Sequence, residues 1–264
     1  MTLPTLFVSH GSPMHALDPG AVGDFWSALG RDWPRPKAIV IASAHWETAL
    51  PMFTGSATPE TVHDFHGFPA PLYRIRYPAP GAPALAARAK ALLDAAGIGA
   101  AIDDGRGLDH GAWSPLLHLY PQADIPVVEL SLQTPLGGRH HLAVGRALAP
   151  LADDGVLIVG SGHMTHNLRD WMSKGRAAVA PVEPYVTRFQ AWVAERIATR
   201  EIDALVDYRA RTADGVRAHP TDEHFQPLFV AMGAAGPDAT AERLYDAVEG
   251  GVLAIDAWAF TRAG

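Results

Sequence analysis

The segment Val156-Leu157-Ile158-Val159-Gly160-Ser161-Gly162-His163 decides the fold, because four consecutive apolar residues run directly into glycine, serine and histidine. A short apolar run that is bounded by glycine is typical of a strand buried on both faces. Two other runs end in the same way: Leu6–Ser9 continues into His10, and Ala38–Ser43 continues towards His45. We therefore predict parallel strands whose carboxyl ends carry histidine side chains.

Helical patterns separate these strands along the chain. The predicted helices are Ala82–Ala96 with Gly97 as its C-cap, His141–Leu151, Pro184–Thr199 and Thr221–Met232. Strands are predicted at Val156–Gly160, at Val127–Leu132 and loosely at Val252–Phe260, and the proline-rich Thr48–Gly81 is predicted as a long ordered loop. Alternating strands and helices predict an α/β fold: one domain over residues 1–264, with a mostly parallel central sheet flanked by helices.

The composition excludes several functional classes. The chain has 264 residues and a formal charge of −7 without a basic block, which argues against nucleic acid or anionic lipid as the main partner. No apolar run approaches the roughly 18 residues that a membrane helix needs, and the start lacks a secretory pattern, so we expect a cytoplasmic protein. With no cysteine and 13 histidines, any metal must be held by His, Asp or Glu.

The strand-end histidines are expected to meet, because ligands of open α/β sheets gather at the carboxyl ends of the strands. Candidates are His10, His45, the pair His163 and His166, and two further clusters around His110 and over 219–224. Neutral imidazole is the commonest metal ligand among side chains, so the pattern predicts a histidine-lined, metal-binding cleft at the carboxyl edge of the sheet.

Other histidines and motifs fit this chemistry less well. We expect His15, His118, His140 and His141 to be surface or hydrogen-bonded side chains, and the HxxH spacing of His63 and His66 lies in a loop. The chain has no GxxxxGK[ST] and no HExxH. Gly160-Ser161-Gly162 resembles part of a nucleophile elbow, but Val159 stands where that motif has its first glycine, so a serine hydrolase is only weakly indicated.

An ordered set of motifs extends over nearly the whole chain and resembles one family. They are Ser9-His10-Gly11-Ser12-Pro13, Ser43-Ala44-His45-Trp46, His63-Asp64-Phe65-His66-Gly67-Phe68-Pro69, Tyr77-Pro78-Ala79-Pro80-Gly81, Asp109-His110-Gly111-Ala112-Trp113, His166-Asn167-Leu168-Arg169 and His219-Pro220-Thr221-Asp222-Glu223-His224. Together they resemble the 4,5-DOPA extradiol dioxygenases within the class III (LigB-type) extradiol ring-cleavage dioxygenases.

The resemblance implies a mononuclear metal site. By position, His10 and His45 resemble the first two ligands and His224 the third, whereas the wider class has a carboxylate in the third place. His166 resembles either an acid/base residue or a fourth ligand, and His110 resembles a residue that binds substrate or handles protons. Glu223 adjoins His224, so a shift of one residue would restore a carboxylate; on a helix the two side chains would point about 100° apart.

The resemblance also implies a reaction: opening of a catechol such as L-DOPA by O2, giving a muconic-semialdehyde-type product. Fe(2+) is the expected working metal and Zn(2+) an alternative bound ion. An amino-acid carboxylate on the substrate would need a partner such as Arg169 or Arg74. Two alternatives stay open, a zinc-dependent hydrolase using the same cleft and a non-catalytic metal-binding homologue. The expected assembly is a monomer or a small homo-oligomer.

Overall fold

A computed structural model describes residues 3–175 and 179–262 of the chain. Its strands are β1 (Thr5–Ser9), β2 (Ala38–Glu47), β3 (Met52–Thr54), β4 (Ala101–Asp103), β5 (Val127–Leu132), β6 (Val156–Gly162), β7 (Thr240–Tyr245), β8 (Val248–Glu249), β9 (Leu253–Ala254) and β10 (Ala257–Thr261). Its helices are α1 (Gly20–Asp32), α2 (Pro83–Ala95), α3 (His110–Leu119), α4 (Gly137–Asp153), α5 (Leu168–Ser173), α6 (Pro184–Ala198), α7 (Ile202–Val206), α8 (Tyr208–Arg211), α9 (Ala213–Ala218) and α10 (Pro227–Ala235). Short 3-10 turns lie at Pro13–Ala16, Leu72–Arg74 and Thr134–Leu136.

The predicted α/β fold with a mostly parallel sheet is confirmed. Eight strands form one sheet in the order β4-β3-β5-β2-β6-β1-β10-β7, and β8 pairs separately with β9. The contacts β5–β2, β2–β6, β6–β1 and β3–β4 are parallel, whereas β3–β5 and the edge formed by β10 and β7 are antiparallel. Parallel β1, β2 and β6 therefore direct their carboxyl ends to the same edge of the sheet.

Helices cover the sheet on both sides, as continuous apolar strands require. In β2, Ile39 and Ile41 pack in the core that contains α1 and α3 residues, whereas Val40 and Ala42 pack in the core formed with α2 and α4. Among the described residues, none of the helices has the length and apolar character that crossing a bilayer requires.

Most of the predicted elements are found within a few residues of their predicted limits. The structure extends the strand Ala38–Ser43 to Glu47 and the helix His141–Leu151 to Gly137–Asp153, and Val252–Phe260 divides into β9 and β10. Gly97 has the left-handed backbone (φ 76°) expected just past the end of a helix. Helix α1 and the three-residue strand β4 carry weaker patterns and are not predicted from the sequence. Strand β3 lies inside the segment Thr48–Gly81, which is predicted as a loop, because three residues are too few to show a periodic pattern.

The predicted helix Thr221–Met232 is wrong in its first half. The helix begins at Pro227, and residues 223–226 form a turn in which Asp222 O accepts from Phe225 N and Gln226 N. Proline has no backbone N–H, so a longer helix would lack the bond from residue 227 to the carbonyl of Glu223. His224 O instead accepts from His163 N at 2.7 Å, which fixes this turn to the end of β6.

Two glycines of the opening segment allow that contact. A Cβ on Gly160 would lie 2.0 Å from Pro227 O, and a Cβ on Gly162 would lie 2.1 Å from His224 O. Both opposing atoms belong to backbone, which cannot turn away as a flexible side chain can. The turn that carries His224 can therefore lie directly on β6 only because these two positions have no side chain.

We predict that Gly160→Ala lowers the free energy of unfolding by about 1–3 kcal/mol, the usual cost of forcing an extra methyl group into a packed interior. Urea unfolding followed by circular dichroism measures the change. Gly99→Ala is the control: Gly99 is exposed and nothing lies within 4 Å of a Cβ placed there. Equal stability of the two variants would contradict the close approach.

Candidate active site

Three histidines from distant parts of the chain meet at the carboxyl edge of the sheet. His10 directly follows β1, where its N–H donates to Gly162 O at 3.0 Å; His45 lies near the end of β2, and His224 lies in the turn on β6. The Nε2 atom of His45 lies 3.0 Å from His10 Nε2 and 3.3 Å from His224 Nε2. The three rings radiate from this point, with centroids 4.9, 4.9 and 5.4 Å apart.

The opposite nitrogen of two of these rings has a defined acceptor. Ser161 Oγ donates to Gly111 O at 2.5 Å, so it accepts from His10 Nδ1 at 3.0 Å. Glu223 Oε1 accepts from His224 Nδ1 at 2.9 Å. With the proton held on Nδ1, each Nε2 presents its lone pair to the shared point.

The three converging histidines are uncharged near neutral pH. Burial, reinforced by the neighbouring histidines, lowers the pKa of His10 and of His224 well below 6.5. Burial likewise lowers the pKa of His45 to about 4. Neutral rings at this spacing face one another with lone pairs, which repel unless a cation or a proton lies between them.

The donor set fits one divalent metal ion. Nitrogen ligands about 2.1 Å from a single ion lie about 3.0–3.4 Å from one another when their bonds are 90–109° apart. The two measured Nε2 separations, 3.0 and 3.3 Å, fall in this range. Three imidazoles on one side would leave the opposite side of the ion open to substrate. Side-chain atoms of His110 also come within 4.8 Å of those of His10 and His45, and His166, Glu223 and His224 form a second such group.

His166 has a different orientation from the three converging rings. Its ring lies flat against that of His224, with centroids 3.5 Å apart and planes 15° apart, rather than radiating from the shared point. Burial lowers its pKa well below 6.5. Asn167 holds the backbone beside it: its side chain caps α5 at Asp170 N and donates to Arg217 O.

His163, the neighbour that the family motifs leave without a role, lies deeper. Its Nδ1 donates to Ala254 O at 3.1 Å, and its ring meets the edge of His10 with centroids 5.9 Å apart. Burial lowers its pKa to about 3. His219 is also buried and donates from Nε2 to Met164 O, so it supports the chain segment that leads to His224.

His110 is the first residue of α3 and faces the same site. Asp109 caps this helix by accepting from Ala112 N, and it also accepts from Ser43 Oγ at 2.6 Å. The ring of His110 lies beside that of His45, with centroids 3.9 Å apart. Asp64 accepts from His110 N through Oδ1 at 2.9 Å and from His110 Nδ1 through Oδ2 at 2.8 Å.

Asp64 Oδ2 also lies 3.5 Å from Nδ1 of His45. Burial by itself raises the pKa of the Asp64 carboxyl, but the hydrogen bonds from His110 and the neighbouring imidazoles outweigh burial and lower it to about 2. The carboxylate is therefore ionised at neutral pH.

An apolar wall adjoins these polar groups. The buried ring of Phe65 lies 5.6 Å from His110, 5.3 Å from Tyr73 and 6.2 Å from Trp113, between ring centroids. Such rings can pack against a planar aromatic substrate through offset or edge contacts.

The position of Glu223 corrects one part of the sequence argument. Glu223 and His224 lie in a turn and not on a helix, so the 100° separation does not apply. Glu223 instead binds the Nδ1 side of His224, away from Nε2. Burial raises the pKa of Glu223.

Several other candidates lie outside the histidine cluster. Ser161 is fully buried and hydrogen-bonded, so it is no exposed nucleophile. His63 donates from Nε2 to Ile75 O, and His66 is exposed. The remaining histidines are bonded outside the cluster, as expected of hydrogen-bonded side chains: His15 to Glu249, His118 to the His15 carbonyl, His140 to Gln133 and His141 to the Gly137 carbonyl. Arg74 and Arg169 are exposed.

The sequence argument gave no role to Asp64 or to the serine that orients His10. Asp64 lies in an irregular loop, where no periodicity tells which side chain faces the site. The Gly160-Ser161-Gly162 pattern suggests a nucleophile and gives no sign that Ser161 binds a histidine.

Comparisons with known proteins show the family of this chain. Residues 4–251 match the family model described as the catalytic LigB subunit of aromatic ring-opening dioxygenase. The chain is 42% identical over 262 residues to a Beta vulgaris protein named 4,5-DOPA dioxygenase extradiol, covering 97% of this chain and 96% of that one. It is 42% identical over 236 residues to a protein of the same name from Escherichia coli K12, covering 88% and 85%.

A solved structure shares the fold. The crystal structure of an uncharacterized protein from Escherichia coli K12 superposes with a TM-score of 0.81 at 35% identity, covering 97% of this chain and 99% of that one. The histidine cluster thus lies in a chain that matches the family model over most of its length. The chain belongs to the LigB family of aromatic ring-opening extradiol dioxygenases.

Proposed function

We propose that this protein opens the ring of a catechol such as L-DOPA with O2 beside the diol, at one metal ion held by His10, His45 and His224. The observation that carries the proposal is the convergence of Nε2 atoms at 3.0 and 3.3 Å in neutral rings. The relatives named 4,5-DOPA dioxygenase extradiol support the choice of substrate. The product would be a muconic-semialdehyde-type compound that contains both oxygen atoms.

Fe(2+) is the metal that we expect for this reaction. Fe(2+) supplies electron exchange with O2 and with the aromatic ring, whereas Zn(2+) has no accessible redox change. A set of three imidazoles also suits Zn(2+), so we expect purified protein to carry zinc when iron is scarce.

His110 and His166 would handle the protons. The imidazole of His110 would take a proton from a catechol hydroxyl and hold the substrate against the wall that contains Phe65. His166 rests neutral because burial lowers its pKa, so it must first accept a proton before it can act as an acid. A proton passed from His166 to the departing oxygen would then assist cleavage of the O–O bond. Its flat contact with His224 favours this role over that of a fourth ligand.

We further propose that residues 1–264 form one catalytic domain that acts on small molecules, alone or as a small homo-oligomer. A reducing compartment such as the cytoplasm would keep the iron as Fe(2+). An amino-acid carboxylate on the substrate would find a partner in Arg169, which lies three residues beyond His166, or in Arg74.

We predict rapid oxygen uptake and a new yellow chromophore when metal-free protein is loaded anaerobically with Fe(2+) and given L-DOPA. The zinc-loaded protein is the control and should show neither signal, because Zn(2+) cannot exchange electrons with O2. An oxygen electrode and an absorbance spectrum measure both. Iron-loaded protein that consumes no oxygen with L-DOPA or with a panel of simple catechols would contradict the proposal and favour a zinc hydrolase or a non-catalytic protein.

We predict that His10→Ala, His45→Ala and His224→Ala each lose stoichiometric metal, because each removes one of three ligands. His166→Ala should keep one metal per chain while kcat falls by about 10²–10⁴-fold, the usual contribution of a general acid or base. Metal analysis and oxygen uptake separate the two effects. His140→Ala, which removes a histidine bonded to Gln133 outside the cluster, is the control. Loss of metal from His166→Ala would make His166 a ligand instead.

A further inference from the structure

Asp64 lies in a loop outside the sheet, and its carboxylate contacts two of the site histidines. It accepts two hydrogen bonds from His110, one from the backbone N–H at 2.9 Å and one from Nδ1 at 2.8 Å. Its Oδ2 atom also lies 3.5 Å from Nδ1 of His45. Asp64 thus connects the proposed metal ligand His45 with the proposed proton carrier His110.

The loop that carries Asp64 is fixed in place before any substrate binds. Val62 N donates to Leu108 O at 2.7 Å, and Leu108 N donates to Glu60 O at 2.8 Å. Trp113 Nε1, on α3, donates to Val62 O at 2.8 Å. A Cβ on Gly107 would lie 2.3 Å from Glu60 O, so the two segments are in backbone contact. The carboxylate is therefore held against the first turn of α3 by main-chain bonds.

This arrangement determines which nitrogen of His110 carries the proton. Both oxygens of an ionised carboxylate can only accept hydrogen bonds, so Nδ1 must donate and Nε2 must carry the lone pair. A ring nitrogen of His110 lies within 4.8 Å of ring nitrogens of His10 and His45, so the imidazole borders the site, and with Nδ1 bonded to Asp64 the nitrogen left free is Nε2.

We propose that Asp64 is the positioning residue of His110: it holds the imidazole in the Nδ1-protonated form, so that Nε2 can take the proton of a catechol hydroxyl. The catalytic effect of this positioning rests on the proposed function of His110. The tautomer itself depends only on the contact between Asp64 and His110. No proton needs to move to or from Asp64.

The variant Asp64→Asn tests this inference with almost no change of shape. If the amide oxygen of the new asparagine keeps the hydrogen bond from the backbone N–H of His110, its NH2 group faces Nδ1, and Nδ1 must then accept a hydrogen bond. The opposite orientation is unfavourable, because the NH2 group would face the backbone N–H of His110 and two donors would oppose each other. The substitution should therefore move the His110 proton to Nε2 and remove the base from the site.

The first measurement is nitrogen-15 NMR of histidine-labelled, zinc-loaded protein, in which His110 is assigned by the signal lost in His110→Gln. We expect an Nδ1-protonated ring in the unsubstituted protein and an Nε2-protonated ring in Asp64→Asn. This readout needs no turnover, so it remains valid if the protein proves not to cleave catechols. An Nε2-protonated His110 in the unsubstituted protein would overturn the inference even if the variant failed to fold.

The second measurement is steady-state oxygen uptake of the iron-loaded variant with L-DOPA. We expect kcat to fall by about 10²–10⁴-fold, as for loss of a general base, with metal content unchanged and KM changed by less than about threefold. Asp94→Asn is the matched control, because Asp94 also accepts one backbone and one side-chain hydrogen bond, from Ala100 N and Lys90 Nζ, at an exposed position of α2. An unchanged kcat, or a loss of activity that follows loss of metal, would overturn the positioning role.

Discussion

The geometry of the site depends on the hydrogen bonds that hold the Nδ1 atoms of its histidines, because these bonds orient each ring. A buried imidazole directs its lone pair outward only when its other nitrogen has an acceptor. Ser161 provides that acceptor for His10, Glu223 for His224 and Asp64 for His110. Removal of any of them would leave a ring free to rotate or to change tautomer, even with every histidine present.

The same constraint explains why so many imidazoles can be buried together. Charged rings at this spacing would repel strongly, and burial already lowers the pKa of His45 to about 4 and that of His163 to about 3. The rings are therefore neutral, and each needs only ordinary hydrogen bonds. The main chain serves this purpose as well: Ala254 O accepts from His163, and Met164 O accepts from His219.

The sequence predicted the sheet well and the turn on it poorly. Continuous apolar runs such as Val127–Leu132 have few alternatives to a buried strand, and they were confirmed. The segment from Thr221 was predicted as helical because its residues suit a first turn, yet Pro227 stops a helix from passing through. Gly160 and Gly162, which lie against this turn, can be read from the sequence. The sequence does not show which backbone atoms pack against them.

The sequence by itself determined the fold class, the absence of cysteine ligands, the strand-end positions of His10 and His45, and the ordered motifs that resemble one family. Only the tertiary structure decided which ring nitrogen of each histidine faces the site and which carboxylate accepts a hydrogen bond from the other nitrogen. The physical reason is that a tautomer is set by its hydrogen-bond partner. For His10 that partner is 151 residues away, and for His110 it is 46 residues away in a loop without periodicity.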